Sequence, residues 1–227
     1  MGRKLAIFFI GSCLCLAAAG VCARIVNVQK PIAPILATNV SQLRSEDEIG
    51  RLIESFHTDD FRDVYAARDK VLVLAKRKPN LRPAIIDRLL KTARDCSTEE
   101  YDPHFNYGYW SGVALTLGEL RATEAVDVLT KCLDRGDLTG AGLHADHYPA
   151  FVALRQIGSA ALPVLRKLVL EKSSAYQTKR WLAAALIAEI GGNNERKFLT
   201  ELNRSETDGL VRWLLEVELK RMNAQIE

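Results

Sequence analysis

Trp110-Ser111-Gly112-Val113-Ala114-Leu115 superposes on Trp181-Leu182-Ala183-Ala184-Ala185-Leu186, with Trp, Ala and Leu matched at an offset of 71 residues. A further shift of 32 puts Trp213-Leu214-Leu215 on Trp181-Leu182-Ala183. Pro149-Ala150-Phe151-Val152-Ala153-Leu154 fits between them, 39 residues after Trp110. Three of these segments run into an apolar residue and a glycine: Leu117-Gly118, Ile157-Gly158 and Ile190-Gly191. A glycine there suits a left-handed helix end. The segment therefore recurs every 32–39 residues, the signature of stacked supersecondary units.

A second helix follows each glycine. Ala125-Val126-Asp127-Val128-Leu129 aligns without gaps on Ala161-Leu162-Pro163-Val164-Leu165 at offset 36, and Ile85 to Leu89 precedes the first of these by 40. Pro163 falls in a first turn, where its missing N–H costs little. Beyond Ser45 apolar residues recur at i, i+3 and i+4, broken at Gly, Pro and Asn, and no stretch alternates as a half-buried strand does. The pattern predicts outer helices near 44–57, 82–95, 122–134, 160–172 and 194–204. Inner helices are expected near 59–77, 106–119, 146–158, 176–191 and 207–223. Neither helix of a pair buries its apolar stripe alone, so the units must stack. The expectation is all-α: a right-handed α-solenoid of about five stacked antiparallel helix pairs.

Asp208-Gly209-Leu210-Val211-Arg212-Trp213, and Lys179-Arg180-Trp181 with Ala185-Leu186 and Ile190-Gly191, resemble HEAT-type repeats, including the HEAT-like repeats of the phycobilisome-lyase group. The resemblance covers about residues 60–223 and is strongest after 106. Tyr109 and Tyr148 stand where the pattern has Arg. The resemblance implies an interaction surface, and a structural Asp–Arg ladder at Arg180 and Arg212.

Residues 1–23 read as a signal sequence. Arg3 and Lys4 precede an apolar run from Leu5 to Val21, and Val21-Cys22-Ala23 puts small residues at a cleavage site; Ala17-Ala18-Ala19 is a second one. The alternative is an uncleaved N-terminal membrane anchor, since a run of this length just spans a bilayer. Residues 24–41, with Pro31, Pro34 and Asn39, read as a linker to a 42–227 helical domain. Export to the periplasm or medium follows.

The formal net charge is +3, and removing Arg3 and Lys4 from the 31 basic residues leaves 29 against 28 acidic ones. So balanced a chain has no global field for nucleic acid, and none is expected as partner. Lys91, Lys131, Lys167 and Arg204 recur on the outer helices and read as a solvated face, with Asp87–Lys91 and Asp127–Lys131 as i, i+4 pairs. Cys96 and Cys132 remain beyond the signal; they permit one disulfide or stand as two thiols. The repeated tryptophans read as packing residues, with an exposed ladder as the alternative.

Two long turns, 96–105 and 135–145, should be neighbours on one edge. With the adjoining helix starts they hold Asp102, His104, Tyr107, Tyr109, His144, Asp146, His147 and Tyr148. These are the candidate binding residues. His144, Asp146 and His147 have chemistry suited to zinc, so the alternative is a metal-dependent enzyme or a metal-binding site there, with Asp102 or His104 completing it. Asp146 also suits a helix cap. There is no Ser-His-Asp elbow, no carboxylate pair and no metalloprotease motif. The leading expectation is a non-enzymatic protein-interaction module or scaffold, without cofactor, monomeric, with an unidentified protein partner.

Overall fold

The computed structural model describes residues 46–58, 60–98, 107–136, 144–173 and 176–224. The expected signal (1–23) and linker (24–41) lie outside the described residues. The described residues form helices and turns, with no strand. The α-helices are α1 (Glu46–Glu54), α2 (Phe61–Arg77), α3 (Arg82–Thr98), α4 (Tyr107–Glu119), α5 (Val126–Lys131), α6 (Pro149–Ile157), α7 (Leu162–Leu170), α8 (Gln177–Gly191), α9 (Arg196–Ser205) and α10 (Gly209–Ala224). A 3-10 turn leads into each of α3, α5, α7 and α9. No described helix is long and apolar enough to cross a membrane.

Each odd-numbered helix packs on the even-numbered one after it. The even-numbered helices pack on one another in chain order, and α1, α3, α5 and α7 do the same. Helices α4 and α8 therefore have neighbours on several sides, and composition follows position. In α8 every residue from Arg180 to Ala188 is buried, and in α4 only Leu115 breaks the buried run from Trp110 to Gly118. A helix enclosed in this way is apolar around its circumference. Small residues bring such helices close. A Cβ on Gly112 would lie 2.7 Å from the Phe56 ring, and one on Gly118 would lie 2.5 Å from the Cα of Ala153.

That contact corrects one expectation: Gly118 is inside α4 and serves helix approach, while Arg121, at φ 47°, takes the left-handed position beyond the helix. Gly191 likewise remains helical, and Gly192 ends α8. Gly158 does end α6. At φ 82°, ψ −141° and φ 53°, ψ −139°, Gly158 and Gly192 adopt backbone that essentially only glycine tolerates.

The last two helices are fastened by a polar clasp. Arg180 of α8 is 3% exposed and pairs with Glu206, 1% exposed, in the turn before α10. Its Nε also donates to the Val169 carbonyl at 3.1 Å. The second carboxylate oxygen of Glu206 accepts from the backbone N–H groups of Thr207 and Asp208, each at 2.9 Å. Arg212 donates to the Glu206 carbonyl. Asp208 caps α10 by accepting from the N–H groups of Leu210 and Val211 at 3.0 Å, and Gln177 donates to the same carboxylate. These bonds hold the Asp208 carboxyl below its usual pKa, the backbone bond from Val211 most of all. The acidic partner of Arg180 is thus a glutamate, where the resemblance implied an aspartate. A longer carboxylate side chain reaches the guanidinium from a turn whose aspartate is committed to the cap.

The outer basic residues Lys91, Lys131, Lys167 and Arg204 are all exposed. Asp87 and Asp127 form no ion pair with Lys91 and Lys131, contrary to expectation; exposed pairs of this kind gain too little to fix two long side chains. The tryptophans divide as well. Trp110 and Trp181 are 0% and 5% exposed, whereas Trp213 is 56% exposed.

Two stability measurements follow. Glu206→Ala strands a buried guanidinium and should cost about 3–5 kcal/mol in urea unfolding, whereas the double variant Arg180→Met/Glu206→Leu should recover most of that loss. A double variant as unstable as the single one would show that the clasp acts otherwise than by charge compensation. Gly118→Ala drives a methyl group into the Ala153 backbone and should cost about 1–3 kcal/mol; an unchanged melting temperature would contradict the close approach.

Candidate functional site

The candidate residues gather at the starts of even-numbered helices. Tyr107 and Tyr109 occupy the first turn of α4, and His144 to Tyr148 form the 3-10 turn that enters α6. Pro149 sets the first residue of α6, so the chain must arrive extended; Tyr148 does so at φ −106°, ψ 103°. The Tyr107 hydroxyl donates to the His147 carbonyl at 2.8 Å and ties the two starts together. Tyr148 is buried edge-on against Trp181 of α8, ring centroids 6.0 Å apart. Gly136 makes room for it, since a Cβ there would lie 2.7 Å from the Tyr148 ring. Burial, and then Asp134, push the Tyr148 hydroxyl above its ordinary pKa.

Three aromatic residues absent from the sequence-based site extend it. Tyr109 stacks on His57 at 3.5 Å between centroids, with the planes inclined by 17°. Phe61, at the start of α2, meets Tyr107 edge-on at 5.8 Å. Tyr65, one turn on, is 45% exposed and carries Arg68 over its ring at 4.9 Å. The spacing of Phe61 and Tyr65 at i, i+4 was the available signal, but periodicity assigns an aromatic pair to the core more readily than to the surface. The strip thus runs Phe61, Tyr107, the His147 backbone, Tyr148 and Trp181, across the starts of four successive even-numbered helices. Tyr176, exposed before α8, lies beneath Lys179 at 5.3 Å. The Lys179 ammonium in turn donates to the Lys131 carbonyl at 2.6 Å and lies 3.4 Å from Asp134, compensating the C-terminal end of α5.

The metal arrangement is less complete. The His144 and His147 rings lie 5.6 Å apart. Asp146 turns away to Arg155 at 2.8 Å, so it does not cap α6, whose first turn has no side-chain cap. The exposed Asp146 carboxylate gains a charge-assisted bond from the Arg155 guanidinium instead. Asp102 and His104 lie outside the described residues. Among the described residues no three His, Cys, Asp or Glu side chains gather as a metal site. Cys132 is a free, buried thiol whose pKa is raised to about 11, chiefly by burial, which removes it from nucleophilic chemistry at neutral pH.

A second feature crosses the other half of the even-numbered row. Arg155 of α6 lies 3.3 Å from Glu189 of α8, and Arg221 of α10 lies 3.4 Å from the other oxygen of the same carboxylate. Arg221 also pairs with Glu218 at 2.7 Å. These charges line an open groove of about 740 Å³ with Ser159 and Met222. Each arginine is already paired with two carboxylates, Arg155 with Asp146 and Glu189 and Arg221 with Glu189 and Glu218.

No protein-family model matches the chain, and no curated protein or solved structure is similar to it.

Tyr107→Phe removes a single bond between α4 and the α6 entry. It should lower stability by about 0.5–1.5 kcal/mol and speed amide exchange selectively at residues 145–148; uniform exchange across the chain would contradict the local tie.

Proposed function

We propose that this protein is an exported HEAT-like scaffold that binds a protein partner along its aromatic edge. The fold reading is a right-handed α-solenoid of five antiparallel helix pairs: α1/α2, α3/α4, α5/α6, α7/α8 and α9/α10. Two features support it: the sequence repeat, and the two rows of like-numbered helices that pack in chain order. In this reading residues 1–23 direct export and 24–41 form a tether.

The observation that carries the binding reading is the exposure of Phe61 and Tyr65, 43% and 45%, beside a strip whose other aromatics are locked by mutual contacts. Aromatic side chains with restrained rotamers give large contact areas at small entropic cost, and they dominate protein interfaces. Here α2 offers two such rings side by side, and the tie between Tyr107 and the His147 carbonyl fixes their surroundings. The nearly neutral charge leaves recognition to shape and apolar contact instead of a long-range field.

The test is a comparison of captured partners. Wild type and a Phe61→Ala/Tyr65→Ala variant of matched helix content are cross-linked in the producing cells, with residues 1–41 also fused to a reporter that folds only after export. The expected outcome is an active reporter and a specific cross-linked protein whose yield falls at least tenfold in the variant. Retention of that protein by the variant would refute the edge, and a silent reporter would refute export.

A further inference from the structure

The last even-numbered helix among the described residues is α10, and its exposed face differs from its equivalents. Trp213 aligns with Trp110 and Trp181, and Val217 with Ala114 and Ala185. Those four are buried, at 0%, 5%, 0% and 5% exposure, whereas Trp213 and Val217 are 56% and 40% exposed. Among the described residues α4 and α8 have an even-numbered neighbour on each side, while α10 packs mainly on α8 and α9. At one of the two positions a larger residue, Val217, therefore stands in α10 where the equivalent helices have alanine. Single exposed apolar residues are ordinary, but a tryptophan and a valine one turn apart on the same helix form a continuous stripe. Gly209 and Ala224 extend the stripe at its two ends, and nothing lies within 4 Å of where a Gly209 Cβ would be.

We propose that this stripe is the contact surface for a second copy of the chain, with the two α10 helices antiparallel about a two-fold axis. The charges of the stripe select that occupant. Glu216 and Lys220 are exposed on the same face. The ion pairs of α10 among the described residues belong to Arg221, which leaves Glu216 and Lys220 unengaged. An axis passing between Glu216 and Val217 sets Lys220 of the second copy level with Trp213 and one turn from Glu216. The symmetry repeats both contacts. Each ammonium then has an indole face and a carboxylate within reach, and the small Gly209 and Ala224 meet at the ends. A parallel partner would instead align Glu216 with Glu216 and Lys220 with Lys220. The helix is 16 residues long, about 24 Å, and such a pair buries on the order of 1,000 Å² in total, at the low end of specific interfaces. The dimer is therefore concentration-dependent, in place of the monomer expected from sequence. The proposed binding residues Phe61 and Tyr65 lie on α2 and not on α10, so failure of the dimer would not touch the proposed binding role.

Sedimentation velocity of the full chain from low micromolar to near-millimolar concentration tests this, with circular dichroism to confirm folding of each variant. Wild type should shift from monomer to dimer, and its tryptophan emission should move to shorter wavelength over the same range as Trp213 leaves water. Trp213→Glu should raise the dissociation constant at least about thirtyfold. Glu216→Lys and Lys220→Glu should each weaken association, and the double exchange should restore it, since the two-fold pairing is then rebuilt with signs reversed. A chain monomeric throughout would overturn the proposal. So would association that persists in Trp213→Glu, as any contact through another segment would, or a double exchange no better than the singles.

Discussion

An arginine and a glutamate that have both surrendered their water hold the C-terminal part of this molecule in place. Each ion alone would be costly at 3% and 1% exposure. Together they are tolerable because each makes further hydrogen bonds: the guanidinium reaches the end of α7, and the carboxylate takes two backbone N–H groups of the turn. The pair therefore specifies a geometry as much as it stabilises one. The turn before α10 has to bring Glu206 inward, and once it does, Asp208 is left facing the N–H groups at the start of the next helix. One buried contact thereby fixes where α9 stops, where α10 starts and which face of α10 meets α8.

Elsewhere the same problem is solved without charge. Between α4 and α6 the contact is a glycine against an alanine backbone, and between the turn after α1 and α4 it is a glycine against the Phe56 ring. Such approaches give van der Waals contact over a large area but leave no tolerance for an added methyl group. The molecule thus alternates small-residue contacts in its middle with a polar clasp near its end. The aromatic joints at the helix starts are a third device. They act at helix starts, where the Tyr107 hydroxyl adds a polar bond from the start of α4 to the turn before α6.

The sequence showed most of the helices because their repeats align without gaps and because Gly, Pro and Asn punctuate them. It located Pro163 correctly in a first turn and Gly158 at a helix end. It misassigned Gly118 and Gly191, since a glycine required for close helix approach and one required for unusual backbone look identical in one dimension. Tyr107 and Tyr148 were legible as neighbours because the period placed them on adjacent units. His57 and Phe61 were not, because no repeat in the sequence aligns them with their partners Tyr109 and Tyr107. Asp146 was read as a cap or a ligand; the arginine that claims it sits on the following helix at a position with no motif.

The order of packing has one more consequence. The substantial helix contacts among the described residues join elements that are adjacent or nearly so along the chain. There is no clasp from α10 back to α1 and hence no long loop to close before structure gains from it. Stability in such a row is a property of junctions more than of the whole, so it should be unequal along its length. The junction at α8 and α10, rich in hydrogen bonds but with one side open to solvent, is where a ligand, a copy or a mutation would shift the balance between an ordered end and a frayed one without disturbing the middle. A change at one junction between neighbouring helices should therefore leave the contacts of more distant helices as they were.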